Sequence, residues 1–291
     1  MRILFAFPGN ETLATPMYES SLFGKGEFSL HHFPDGETLI TIESDISGHD
    51  IEVLCTLDRP DEKIAALMFF SETARKLGAK SVSLISPYIA YMRQDKQFHR
   101  GESISAAIFA DFLSRYFDRI VTIDPHLHRY KSMQEIYRVP VTVLHCADII
   151  AAWIKMNIDR PVVFGPDEES GQWVRNIAEK AGADYAVFSK VRHSDFKVRI
   201  FGTQIEQYHE HTPVLVDDII STAQTMIETQ GHLKAAALKP PVCIGIHAIF
   251  APNAHENLVS SGVGKVITCN TISHVTNAID IAPLIKASCS K

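Results

Sequence analysis

Residues 214–225 read VLVDDIISTAQT. Three apolar residues lead into Asp217 and Asp218, two isoleucines follow, and Ser221, Thr222 and Thr225 then open a helical run to Leu238. This pattern predicts a strand, an acidic turn and a helix N-terminus. The first N–H groups of a helix have no partner within it and carry the positive end of its dipole, so a phosphate docks there readily. The hydroxyls at 221, 222 and 225 add donors to the same concavity. Two carboxylates just upstream repel a phosphate but suit sugar hydroxyls or a Mg²⁺ ion. A phosphorylated sugar satisfies both halves. The same letters also fit an ordinary strand-to-helix turn capped by Ser221 or Thr222, and the rest of the chain has to decide between the two.

With 291 residues, 46% of them hydrophobic and 21% charged, the chain is long enough for two globular domains, each with its own core. The net charge is −6 and no block of consecutive Lys or Arg is present, so the electrostatic footprint of a nucleic-acid-binding protein is missing. An acidic protein that binds phosphates has to collect cations locally or recruit a metal. Five cysteines (55, 146, 243, 269, 289) are scattered and never spaced C-x-x-C; most lie in apolar runs, which reads as buried thiols in a reducing compartment. The apolar start is stopped by Pro8 and Gly9, and no apolar run reaches about eighteen residues. The expectation is a cytoplasmic protein without a membrane segment.

Strands are expected at 2–7, 26–33, 38–43 and 51–57, with Pro34-Asp35-Gly36 turning between the second and third. A helix over 62–77 closes at Gly78, a strand follows at 81–86, and 87–101 is a long aperiodic loop, a length that is usually functional. Ser103 then caps a helix to Phe117 and a strand covers 119–123. The grammar repeats with strands at 161–165, 185–189, 197–201, 242–250 and 265–269 and helices at 148–156, 170–182 and 254–259. Such alternation predicts an α/β fold, mainly parallel sheets flanked by helices, in two domains, 1–145 and 146–291.

Ligands of open α/β sheets sit beyond the carboxyl ends of the strands, so the polar residues that follow strands are the candidates. Asp35, Gly36 and Glu37 make a favoured turn, yet with Arg93 and Gln94 from the long loop they also offer acceptors for an amino-purine, an amide, and a cation for phosphate oxygens. His126 and His128 follow Asp124 on an extended segment; they suit a metal, or are structural. Asp167, with Glu168 and Glu169, suits a Mg²⁺ ion that keeps most of its waters. Lys190 and Arg192 share one side of a strand end, either as a clamp on a phosphoryl group or as a basic edge that discourages pairing. No Walker A loop, G-x-G-x-x-G, zinc-type cluster or Ser-His-Asp order is present.

Taken in order, PDGE, SPYIAYMRQD, a Ser-Ile-Ser helix start, DPH, PD, K-x-R, VDDIIST and HAIFAPNA span about residues 30 to 275. The series resembles the ribose-phosphate pyrophosphokinase (PRPP synthetase) family, and 214–225 resembles its PRPP-binding loop. The resemblance implies two tandem phosphoribosyltransferase-like domains, the first on the ATP side and the second carrying the ribose-5-phosphate loop. It implies transfer of the β,γ-diphosphoryl group of ATP to ribose 5-phosphate with Mg²⁺, in a homo-oligomer. Asp35, Gly36 and Glu37, the first and last holding adenine from a neighbouring subunit, with Arg93 and Gln94, would bind ATP; His126 and Asp167 would hold Mg²⁺. Lys190 and Arg192 would be catalytic, and Arg192, Asp217, Asp218, Ser221, Thr222, Ala223, Gln224 and Thr225 would take ribose 5-phosphate.

Some departures from the family pattern stand out. Ser221 replaces a common Asp, Ala223 and Gln224 stand where the family has Gly, and Glu168-Glu169-Ser170 and HLHR (126–129) also differ. A side chain at 224 is expected to crowd the approaching phosphate. Two other readings share the loop. A phosphoribosyltransferase needs one such domain and lacks the PDGE, RQD and K-x-R set. A silent regulatory subunit is expected to have lost Lys190, Arg192 or His126, all of which are present.

Overall fold

The computed structural model describes residues 2–166, 170–190, 196–199 and 205–290. They form two compact units, Met1–Leu144 with Thr271–Ser273 and Ala282–Lys291, and His145–Asn270 with His274–Ile281.

In the first unit the elements run β1 (Arg2–Ala6), α1 (Glu11–Tyr18), β2 (Phe23–Lys25), β3 (Phe28–His32), β4 (Thr38–Ile42), β5 (Asp50–Leu54), α2 (Ile64–Lys76), β6 (Ser81–Ser86), α3 (Ser105–Tyr116), β7 (Arg119–Ile123) and β8 (Val141–Leu144). Six strands make a sheet in the order β2-β1-β5-β6-β7-β8, every pair parallel. A parallel sheet is covered on both faces, which is why β5 to β7 read as unbroken runs such as IVTI and show almost no exposed residue. The helices turn one apolar stripe inward: Ala66, Leu67, Phe70 and Ala74 on α2, and Ala106, Phe109, Ala110 and Leu113 on α3.

β3 and β4 stand apart as a two-stranded antiparallel hairpin. Phe28 anchors it: its ring lies 4.9 Å from Phe7 and 5.3 Å, edge-on, from Phe70 of α2, aromatic geometry worth more than area burial alone.

The second unit runs α4 (Ala147–Asn157), β9 (Pro161–Gly165), α5 (Gly171–Ala181), β10 (Asp184–Lys190), β11 (Phe196–Arg199), β12 (Thr212–Ile220), α6 (Gln224–Ala235), β13 (Val242–Ala248), α7 (Ala254–Ser260), β14 (Lys265–Cys269) and β15 (Asn277–Ile279). Its sheet is ordered β11-β10-β9-β12-β13-β14-β15, parallel except for the β10–β11 pair. The last helix, α8 (Ala282–Cys289), packs on α1 and β8 of the first unit.

Both sheets obey one rule. The first strand, β1 or β9, sits inside; the next lies on one side, and β5 or β12 starts a run on the other. The direction of winding reverses there, and that switch point opens a crevice at the strands' carboxyl ends.

Candidate functional site

The two switch points differ. In the first unit Asn10, 3% exposed, bridges the segments after β1 and β5: its Nδ2 donates to Phe7 O at 3.0 Å and its Oδ1 accepts from Thr56 N at 3.0 Å. Thr56 Oγ1 donates to Thr271 O at 2.7 Å.

In the second unit β12 outruns its neighbour. Its register with β9 ends at Leu215↔Phe164, whereas pairing with β13 continues through Asp217↔Gly245 and Ile219↔His247 to Ile220↔Ala248. Asp217 and Asp218 are therefore strand residues, half-buried, and not the acidic turn expected from sequence. Aspartate is depleted in strands, but continuous pairing with a buried neighbour overrides that preference. Beyond Leu215, β12 has no described strand on its β9 side, and this stretch leads straight into 221–225.

Neither Ser221 nor Thr222 caps the helix. Ala223 is the N-cap, left-handed with φ +59°, and no side chain caps α6. Thr222 Oγ1 accepts from Gln224 N at 3.4 Å, and Ser221 O accepts from Ala251 N at 3.0 Å. A left-handed alanine costs about 1–2 kcal/mol, which accounts for glycine being the easier residue there. Apart from the long bond from Gln224 N to Thr222, the first-turn amides of α6 have no side-chain cap, as an anion seat requires. Gln224 does not crowd this turn: its amide donates to Glu228 Oε1 at 2.9 Å, one turn along the helix.

Backbone strain gathers on the same side of both sheets. Arg59, Tyr91, Asp124, Ala223, Phe250 and Asn253 have positive φ and follow strand carboxyl ends; Arg160, ahead of β9, and Ala237, after α6, are the exceptions among the described non-glycine residues. Strain of this kind concentrates where a site fixes the chain.

The first unit's candidates fall into two places. Asp35 and Glu37 are exposed at the tip of the β3–β4 hairpin, where Gly36 has φ +92° and Asp35 Oδ1 accepts from Glu37 N at 3.1 Å. Arg93 and Gln94 lie after β6 and His126 after β7; these are adjacent parallel strands, so the two loops leave the sheet side by side. Gln94 is held by its backbone, donating to Tyr91 O at 3.0 Å and accepting from Ala106 N at 3.2 Å. Ser103 is not the cap of α3, whose N-cap is Ile104. The imidazoles of His126 and His128 meet edge to face at 3.9 Å between centroids.

Sequence reasoning gave Arg129 no role, although it flagged HLHR. Its Nη1 donates to Asp95 Oδ1 at 2.7 Å across the two loops. Asp167 and Arg192 lie outside the described residues, as does the side chain of Lys190, the last residue of β10. Among the described residues no three His, Cys, Asp or Glu side chains converge as a metal cage, and no helix is long and apolar enough to cross a membrane. All five thiols are buried; burial pushes those of Cys55 and Cys243 up to about 12.

A family model described as the N-terminal domain of ribose phosphate pyrophosphokinase matches residues 2–116, and one for the phosphoribosyl transferase domain matches 132–284. A ribose-phosphate pyrophosphokinase of Methanothermobacter thermautotrophicus is 34% identical over 257 residues, 87% of each chain. That of Sulfurisphaera tokodaii is 30% identical over 260 residues, 87% of this chain and 88% of the other. The crystal structure of phosphoribosylpyrophosphate synthetase from Mycobacterium smegmatis superposes with a TM-score of 0.86 at 23% identity, covering 99% of this chain and 97% of that one. That likeness carries the fold.

Proposed function

This chain belongs to the ribose-phosphate pyrophosphokinase family, and on that premise we propose that it transfers the β,γ-diphosphoryl group of ATP to the C1 hydroxyl of ribose 5-phosphate. The observation that carries this reading is the second-unit crevice. There two half-buried aspartates on β12 run into the hydroxyl-rich turn of an uncapped helix, while in the first unit Asn10 bridges the segments after β1 and β5.

The 5-phosphate takes the amides and hydroxyls of 221–225, and Asp217 and Asp218 accept from the ribose hydroxyls. Arg93 and Gln94 hold ATP beside His126. Asp35 and Glu37 hold adenine, contributed by a neighbouring subunit of a homo-oligomer. Mg²⁺ fits a site of this kind because it keeps most of its waters and needs only one or two protein ligands; no larger cage of His, Cys, Asp or Glu is found among the described residues. His126 and Asp167 would hold it. When bound, it neutralises charge on the phosphate chain.

In the reaction the C1 oxygen bonds to the β-phosphorus, the bond from that phosphorus to the α,β-bridging oxygen breaks, and AMP leaves with the oxygen. The hydroxyl proton passes to solvent. Chemistry of this type needs positioning and cations around developing charge more than a strong base, and Lys190 and Arg192 supply those cations. Incubation with ATP, ribose 5-phosphate and Mg²⁺ is expected to yield AMP and PRPP in equal amounts, and nothing once the metal is chelated. Formation of ADP, or AMP released without ribose 5-phosphate, sinks the assignment.

A further inference from the structure

Asp95 is a buried charge that these roles leave unused. Its side chain is 3% exposed; one oxygen is paired with Arg129 and the other, Oδ2, has no partner. Arg129 is itself half in solvent, at 46%, with its guanidinium 5.7 Å from the centroid of Phe98. The ammonium of Lys96 lies 4.8 Å from the same ring. Asp95 directly follows Arg93 and Gln94, and Arg129 comes three residues after His126. Glu102 ties the far end of the first loop to itself, accepting from Phe98 N and His99 N at 2.9 and 2.8 Å. The bond from Arg129 ties that loop to the segment after β7.

We infer that Asp95 and Arg129 form a latch, a pair of positioning residues that holds Arg93 and Gln94 in register with His126. The inference rests on the reading that Arg93 and Gln94 take ATP beside the Mg²⁺ ligand His126. Its physical basis is an asymmetry of buried charge. A carboxylate stripped of its cation in a dry site is strongly destabilising, whereas a neutral isostere is tolerated. Without Arg129 the 91–98 segment has to open to hydrate Asp95, and that motion carries Arg93 and Gln94 away. With Asn at 95 there is no charge to hydrate, and the loop stays shut even when Arg129 is lost.

The test uses Arg129→Ala, Arg129→Lys, Asp95→Asn and the double variant Asp95→Asn/Arg129→Ala. For Arg129→Ala the KM for ATP is expected to rise on the order of tenfold or more, with kcat falling far less. Amide exchange of 91–98 in the unliganded protein is expected to quicken. Arg129→Lys restores most of both, and the double variant lies closer to the parent than Arg129→Ala does. Unchanged KM and exchange in Arg129→Ala overturn the latch. A double variant as impaired as Arg129→Ala overturns it too, and makes Arg129 a direct contact of the nucleotide. Should Arg129→Ala fail to fold, the double variant decides: a latch predicts that it folds with near-parental exchange of 91–98, and a double variant that also fails to fold, or exchanges faster, overturns it. The exchange measurement needs no substrate, so it judges the latch alone; failure of the unaltered protein to make PRPP counts against the activity alone.

Discussion

Gly245→Ala tests how the sheet aims the phosphate turn. Gly245 lies in the fully buried β13, between Asp217 of β12 and Thr268 of β14. A Cβ at this position would stand 2.6 Å from both Cγ1 and Cδ1 of Ile220, about 1 Å or more inside the ordinary contact distance of about 3.5–4.0 Å. Ile220 is 1% exposed and stiff at χ1, and its carbonyl accepts from Phe250 N at 2.9 Å. The strain therefore moves the backbone just ahead of Ser221. Overpacking of this kind costs about 1–3 kcal/mol, or roughly 2–12 °C in Tm at about 2–4 °C per kcal/mol. The KM for ribose 5-phosphate is expected to rise several-fold while kcat holds. Ile220→Val removes the Cδ1 atom and on its own costs about 0.5–1.5 kcal/mol. Combined with Gly245→Ala it should recover about 1 kcal/mol in a double-mutant cycle of denaturation midpoints. Additive effects, or a Gly245→Ala protein as stable as the parent, would refute the reasoning.

Lys190→Ala is expected to lower kcat by about 10²–10³ with the KM for ATP nearly unchanged; a collapse of ATP binding in titration calorimetry would move Lys190 from the transition state to the ground state. Gln224→Gly should leave the KM for ribose 5-phosphate where it is, because the side chain is already bonded to Glu228, and should cost about 1 kcal/mol of helix stability; a lower KM would mean that the side chain does reach the phosphate. Glu52 carries a pH prediction. Burial pushes its carboxyl above the usual range, against the pull of Arg119 and Arg2, so the folded state favours the protonated form. The stabilisation this gives is complete below the ordinary glutamate value of about 4.3 and is lost as pH rises through the raised one. In urea titrations from pH 4 to 7, Glu52→Gln should gain on the parent as pH rises; parallel curves would contradict this.

Much of the fold was legible because parallel strands buried on both faces write continuous apolar runs, and helices packed on one face write a period near 3.6. What escaped was short or locally ambiguous. The strands β2 and β15 have three residues each, too few for a period. α1 carries Pro16 within eight residues, and the four residues of β8 are all only half-buried. Asp217 and Asp218 read as a turn because local preference opposes a strand; only the partner β13, 25 or more residues away, reverses it. The motif residues could be found from sequence, since strand ends announce them. Their geometry could not: that Asn10 bridges the segments after β1 and β5, that Gln224 turns toward Glu228, and that Arg129 reaches Asp95 are all contacts set by tertiary structure.

The central claim is that a sugar phosphate sits on the turn between β12 and α6. Amide chemical shifts of the labelled protein, followed by NMR as ribose 5-phosphate is added, test it most directly. The account predicts saturable shifts at Thr222, Ala223, Gln224 and Thr225 that ribose without its phosphate does not produce. Shifts confined to other residues, with those four amides unmoved, would contradict it.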